Sequence, residues 1–162
     1  MDPKIQQVQE IKLVGMSTRM NFLQNTTTQL WQRFMPRRNE VPHATGADLF
    51  SLQVYPGNFF NPFIPSVIFE KWAAREVSEF GVLPLGMDAI IIPEGMYAGF
   101  TFRGTQQEAP EFFERMYTNW LPNSEFELDQ RPHFEVLGKK YHRDDPNSEE
   151  EVYIPIRSRV GR

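Results

Sequence analysis

The sequence predicts an α+β fold built from two copies of a strand–helix–strand–strand unit. Three observations predict it. Two apolar helix faces stand far apart in the chain, Leu30-Trp31 with Phe34-Met35 and Phe112-Phe113 with Met116-Tyr117. Spacing of i, i+1, i+4, i+5 puts such side chains on one side of a helix. Each face follows a strand-like stretch and precedes two more. A glycine–methionine pair, Gly15-Met16 and Gly95-Met96, marks the first strand of each copy. Identity between the copies is weak, so the order of elements carries the repeat, about residues 5–82 and 86–157 of one domain spanning 1–162.

In the first copy, residues 6–20 (QQVQEIKLVGMSTRM) read as one strand with a central glycine. Asn25, Thr26, Thr27 and Thr28 are good helix N-cap types, and Pro36 stops or kinks the helix that follows. Residues 41–47 hold Pro and Gly and read as a loop. Residues 49–55 (LFSLQVY) have strand composition. The stretch 56–65 (PGNFFNPFIP) cannot ladder regularly because of its prolines; its Phe59, Phe60 and Phe63 either cap a pocket or fold onto the core. Residues 71–80 (KWAAREVSEF) read as a strand, although Ala73-Ala74-Arg75-Glu76 would also suit a helix.

In the second copy, residues 88–92 (DAIII) are strongly β-branched, and Pro93-Glu94-Gly95 marks a bend or bulge. Large residues alternate over 96–103 up to Gly104. Pro110 suits a first helical turn, the apolar face runs on to Trp120 and Leu121, and Pro122-Asn123-Ser124 ends it. Residues 126–128 and 133–137 are strand-like. Residues 141–151 read as a solvated loop, with Glu149, Glu150 and Glu151 as a charge run facing water. Residues 152–156 (VYIPI) form the last strand, which Pro155 places at an edge or a bulge.

Composition narrows the function classes. The chain has 162 residues, 40% hydrophobic and 23% charged, as in an ordinary soluble domain. Aromatics reach 14%, enough to furnish a core and line a pocket as well. The absence of cysteine excludes disulfides and thiolate metal sites. The start, MDPKIQQVQEIK, has no basic region followed by an apolar run, so a cytoplasmic location is expected. No stretch approaches the ~18 apolar residues of a membrane span. A net charge of −4 argues against general nucleic-acid binding. There is no phosphate-binding glycine loop and no GxSxG. His43, His133 and His142 have no metal-ligand spacing, so neither a metal nor another cofactor is expected.

The carboxylates are the candidates for chemistry. Glu135 lies in HFEVLG between Phe134 and Val136. It either faces water from a half-exposed strand or faces a pocket. In a pocket lined by aromatics, a carboxylate favours an organic cation through Coulomb attraction and cation–π contact. Glu76, in WAAREV, has the same ambiguity and stands in reserve.

A family resemblance adds to this reading. It rests on Trp72, Ala73, Glu76 and Val77 of KWAAREV, on IPEGMYAGFTFRG (92–104), NWLP (119–122), PHFEVL (132–137) and EEVYIPI (150–156), which occur in the family's order. In these the chain resembles the GyrI-like, or AraC-type effector-binding, small-molecule domain. The resemblance implies duplicated SHS2-like units in an antiparallel sheet with two main helices and a ligand groove between the halves. It implies Glu135 as the ligand-facing acid, Tyr97 and Trp120 as aromatic walls, and Trp72 and Tyr55 as weaker wall candidates.

The expected function is a multidrug- or effector-binding module for apolar or amphiphilic, cationic compounds. Family members fused to helix-turn-helix domains act as drug-responsive transcription regulators. Here the binding domain takes up the 162 residues, so a stand-alone module without direct nucleic-acid contact is expected. The resemblance leaves two alternatives: a hydrolase of strained electrophiles with a pocket glutamate as base, and a protein-interaction module of the gyrase-inhibitor type with a protein partner.

Overall fold

The computed structural model describes residues 1–159. Nine strands form one antiparallel sheet: β1 (Lys4–Val8), β2 (Ile11–Met20), β3 (Ala44–Val54), β4 (Phe69–Val77), β5 (Asp88–Ile92), β6 (Gly95–Arg103), β7 (Phe126–Leu128), β8 (His133–Leu137) and β9 (Glu149–Ser158). Their spatial order is β1-β6-β9-β8-β3-β4-β2-β5, with β7 adding to β9. Helix α1 (Thr27–Phe34) continues into a 3-10 turn beginning at Met35, and α2 (Ala109–Arg115) continues into a π turn over Met116–Trp120. The fold is the expected one: two helices on an antiparallel sheet, with β2-α1-β3-β4 forming one half and β6-α2-β8-β9 the other.

The first strand is not continuous. It breaks at Gln9-Glu10, and the two parts have different partners: β1 crosses to β6 of the second half, while β2 stays in the first. Reciprocally, β5 pairs β2 before the chain turns into β6. Lys4 opposes Gly99 and Asp88 opposes Gly15, so the glycine equivalent to Gly15 is Gly99 rather than Gly95.

Gly15 is needed for close approach. A Cβ there would lie 2.1 Å from the Ala73 carbonyl oxygen and 2.6 Å from the Ala74 Cα, both backbone atoms that cannot swing aside. Gly15→Ala is expected to destabilise the fold by on the order of 3 kcal/mol, read as a lower urea midpoint at unchanged slope.

The ambiguous stretch around Ala73 is a strand. Ladders from β2 and β3 on its two sides override its helix propensity. Strand β3 starts earlier than its composition suggests: Ala44 already opposes Val77, and the register shifts before Leu49 meets Arg75. Pro155 is not at an edge, because β9 lies between β6 and β8. Its carbonyl accepts from Asp129 N–H, so its nitrogen also points to that side, where β9 changes partner from β8 to β7. A missing N–H costs no ladder bond there. The run of three glutamates belongs to the start of β9 and not to a loop.

The helices lie on one face of the sheet. Leu30 and Phe34 of α1 pack on Val14, Ala73 and Val77, and Met116 beyond α2 packs with Phe100, Val152 and Ile154. The opposite face buries Leu13, Leu52, Trp72, Ile92, Tyr97 and Phe134 in one cluster drawn from both halves. Each helix covers its own half. The central strands β3 and β8, where the halves meet, are left between the two helices.

Candidate functional site

The central pair of strands presents polar side chains to the helix-bearing face. Ser51 opposes both Ala73 and Glu135, and Gln53 opposes both Lys71 and His133. Directly opposed residues in antiparallel strands share a face, so Ser51, Gln53, Lys71, His133 and Glu135 all point between the helices. Glu135 also opposes Val152 of β9. Glu150 lies two residues from Val152 and therefore points the same way.

These groups are buried. Glu135 is 6% exposed, Glu150 7%, Lys71 8% and His133 4%. The Glu135 carboxylate accepts a hydrogen bond from Gln53 Nε2 at 3.0 Å, and its Oε1 lies 4.0 Å from Lys71 Nζ. Burial raises the Glu135 pKa, against the pull of Lys71, Gln53 and Ser51. Burial lowers that of Lys71, with Glu135 and then Glu150 opposing. Glu150 is pushed up to about 8 by burial and by the Glu135 charge, so at neutral pH it holds its proton. His133 is pushed down to about 3 by burial and then by Arg131, and is neutral.

Aromatic rings close the site. Tyr55, two residues beyond Gln53, packs edge-on to the His133 ring at 4.9 Å. Phe60, from the proline-rich stretch, sits edge-on to Tyr55 at 5.0 Å and stacked on Tyr117 at 4.7 Å. The Tyr117 hydroxyl hydrogen-bonds His133 Nδ1 at 2.9 Å. Tyr117 stands in the π turn; such turns occur frequently at functional sites. Burial and the Glu135 charge raise the Tyr55 pKa; burial, Tyr55 and then Glu135 raise that of Tyr117. Phe60 thus bridges a tyrosine of each half, and both of these tyrosines lie near enough to Glu135 to feel its charge. An open surface depression of about 630 Å³ lies elsewhere, at the β1–β6 edge among Lys4, Gln6, Thr101 and Arg115.

Of the residues singled out in the sequence, the structure brings Glu135 and Tyr55 together. It places Tyr97 and Trp72 on the opposite face, in the cluster with Phe134. Tyr97 donates to the Pro132 carbonyl at 3.2 Å, and the Arg131 guanidinium lies 4.7 Å from its ring centre. Glu76 opposes Leu13 and shares that other face. Trp120 packs on Phe100 and Phe126 within the cluster under α2, away from the central strands. For Tyr97, Trp72 and Glu76 the cause is strand parity and register, which set the face that a side chain occupies; Trp120 is placed by the π turn that follows α2. Lys71, Gln53, Tyr117 and Glu150 also join the site, and nothing in the local sequence marked the first three. For Glu150 a signal existed: extending the alternation of VYIPI backwards puts 150, 152, 154 and 156 on one face.

Comparison with known proteins agrees with the fold. The family model of the GyrI-like small molecule binding domain matches residues 1–157. The transcriptional regulator BrlR of Pseudomonas aeruginosa is 32% identical over 133 residues, covering 82% of this chain and 47% of BrlR. The chain therefore spans about half the length of that curated relative. Among solved structures, SAV2435 bound to tetraphenylphosphonium aligns with a TM-score of 0.71 at 17% identity, over 97% of this chain and 94% of that one. A Vibrio cholerae integron cassette protein aligns with a TM-score of 0.69 at 15% identity, over 96% of each chain. EcmrR in a complex with DNA aligns with a TM-score of 0.70 at 12% identity, over 97% of this chain and 57% of EcmrR. Among the described residues no helix is long and apolar enough to cross a membrane. With the family model matched along nearly its whole length, the chain belongs to the GyrI-like small molecule binding domain family.

Proposed function

We propose that the protein binds apolar or amphiphilic organic cations between its two halves, against Glu135. The observation that carries this reading is a buried carboxylate beneath tyrosine and phenylalanine rings, where the two helices leave the sheet uncovered. A lipophilic cation gains cation–π contact with such rings and Coulomb attraction that water screens little. The fold neighbour bound to tetraphenylphosphonium supports the choice of ligand class. The Phe60 ring holds the slot between Tyr55 and Tyr117, so entry of a ligand requires the 56–65 segment to lift. The ring of an aromatic cation then takes up the same stacking partners.

The test is titration calorimetry with tetraphenylphosphonium at pH 8. Saturable binding is expected. Glu135→Gln is expected to weaken it about 100-fold, because removing one member of a buried charge pair costs on the order of 2–5 kcal/mol. Unchanged affinity in Glu135→Gln would sink the assignment of this site. Regulatory output through a DNA-binding partner or a second domain remains a separate proposal. It is tested by whether the cation alters binding of the chain to that partner.

A further inference from the structure

Glu135 is not a bare carboxylate waiting for a cation. Lys71 Nζ lies 4.0 Å from it, on the same face and equally buried. Lys71 and Glu135 balance each other, so the pair alone offers a cationic ligand no net negative charge. The second acid, Glu150, is different. It is 7% exposed, and among the described residues its carboxyl makes no side-chain hydrogen bond and has no cation within 4.0 Å, Lys71 acting on it only from farther away. Its neighbours in the run are engaged on the outer side: Glu149 with Arg103 and Lys140, Glu151 with Thr101. Alternation along β9 turns Glu150 alone inward, onto the face that holds Glu135.

We propose that Glu150 is the charge-determining residue of the groove and that a ligand cation enters in exchange for the proton on the Glu150 carboxyl. This rests on the cation-binding reading above. In the free protein, Lys71, Glu135 and protonated Glu150 sum to zero charge. Binding places the cation's charge beside Glu150, the carboxyl releases its proton to solvent, and the sum is again zero. The Glu150 value of about 8 is consistent with a proton held at neutral pH and released on demand. The charged and titratable groups facing Glu150 are Glu135 of β8, Lys71 of β4 and Tyr141 of the loop before β9. Arg143 and Asp144 act on Tyr141 from the same loop. His133 already holds no proton there to release.

A consequence is selectivity by charge. A permanent cation displaces one proton; a neutral ligand of the same shape displaces none and binds with no pH dependence through Glu150.

The experiment is calorimetry with tetraphenylphosphonium from pH 6 to 9, in buffers of different ionisation enthalpy so that released protons are counted. Wild type is expected to release close to one proton at pH 7. Its affinity is expected to rise up to about tenfold per pH unit and to level off above about pH 8. Glu150→Gln, which keeps the shape of the side chain, is expected to bind more weakly and with a flat pH profile. A neutral tetraphenyl analogue provides the second arm and is expected to release no proton from wild type. Wild-type binding without proton release overturns this inference and leaves the cation-binding reading standing. So does a pH slope that persists in Glu150→Gln, which would transfer the proton to Lys71. No binding of tetraphenylphosphonium by wild type at any pH overturns both.

Discussion

Lys71→Met is expected to cost about 3 kcal/mol of folding stability at pH 8, because it leaves Glu135 buried without its positive partner. The two charges lie 4.0 Å apart, a separation worth about 4 kcal/mol at an effective dielectric near 20. The methionine side chain fills similar volume, so the loss is one of charge rather than packing. Glu135 can escape the penalty by taking a proton, since burial already raises its pKa. The deficit should therefore shrink by pH 5. Urea unfolding at the two pH values measures this. The double variant Lys71→Met with Glu135→Gln should recover most of the loss, as replacing a whole buried pair often does. Equal stability of Lys71→Met and wild type at pH 8 would show that Lys71 is not the counter-ion of Glu135. A lipophilic cation should also stabilise Lys71→Met more than wild type, because the ligand then supplies the missing positive charge.

The second large effect is on acid stability. His133 has a folded value of about 3 against an ordinary 6.5. The unfolded chain therefore binds the extra proton, and stability drains as the pH falls from 6.5 towards 3. Glu150 works in the opposite sense. Its folded value is about 8 against an ordinary 4.5, so the folded state holds the extra proton and stability drains as the pH rises from 4.5 to 8. Each unit of either shift is worth about 1.4 kcal/mol. Between pH 4.5 and 6.5 the two slopes cancel, which predicts a plateau of maximal stability there and a decline on both sides. Glu135, also raised from 4.5, adds a loss that begins inside this interval and tilts its alkaline side downward. Denaturant midpoints from pH 3 to 9 read the curve. His133→Asn is expected to remove the acid limb, and Glu150→Gln to flatten the alkaline one. A midpoint that climbs steadily from pH 5 to 8 would contradict both assignments.

Much of this architecture is legible in the residues, because helix faces and strand boundaries are local. Leu30 with Phe34 and Phe112 with Met116 announce their helices through spacing alone. The family order supplies the antiparallel arrangement. The site is less legible because it is assembled across strands. Whether Tyr97 shares a face with Glu135 depends on a register running through β6, β9 and β8, and no window of sequence contains that. In the sequence Lys71 only opens a strand-like stretch; its position opposite Gln53, beside Glu135, reveals its role. Glu150 is hidden by company, one inward acid between two outward ones. Tyr117 serves the apolar helix pattern in sequence, while the π turn carries it to the central strands.

The exchange of β1 and β5 between the halves has a consequence for how the chain comes together. A nascent chain that has emerged only as far as β4 holds β1 with no partner and β2 with a bare edge, since both wait for residues not yet made. The two halves therefore cannot fold in turn as beads on a string, and closure depends on contacts between distant parts of the chain.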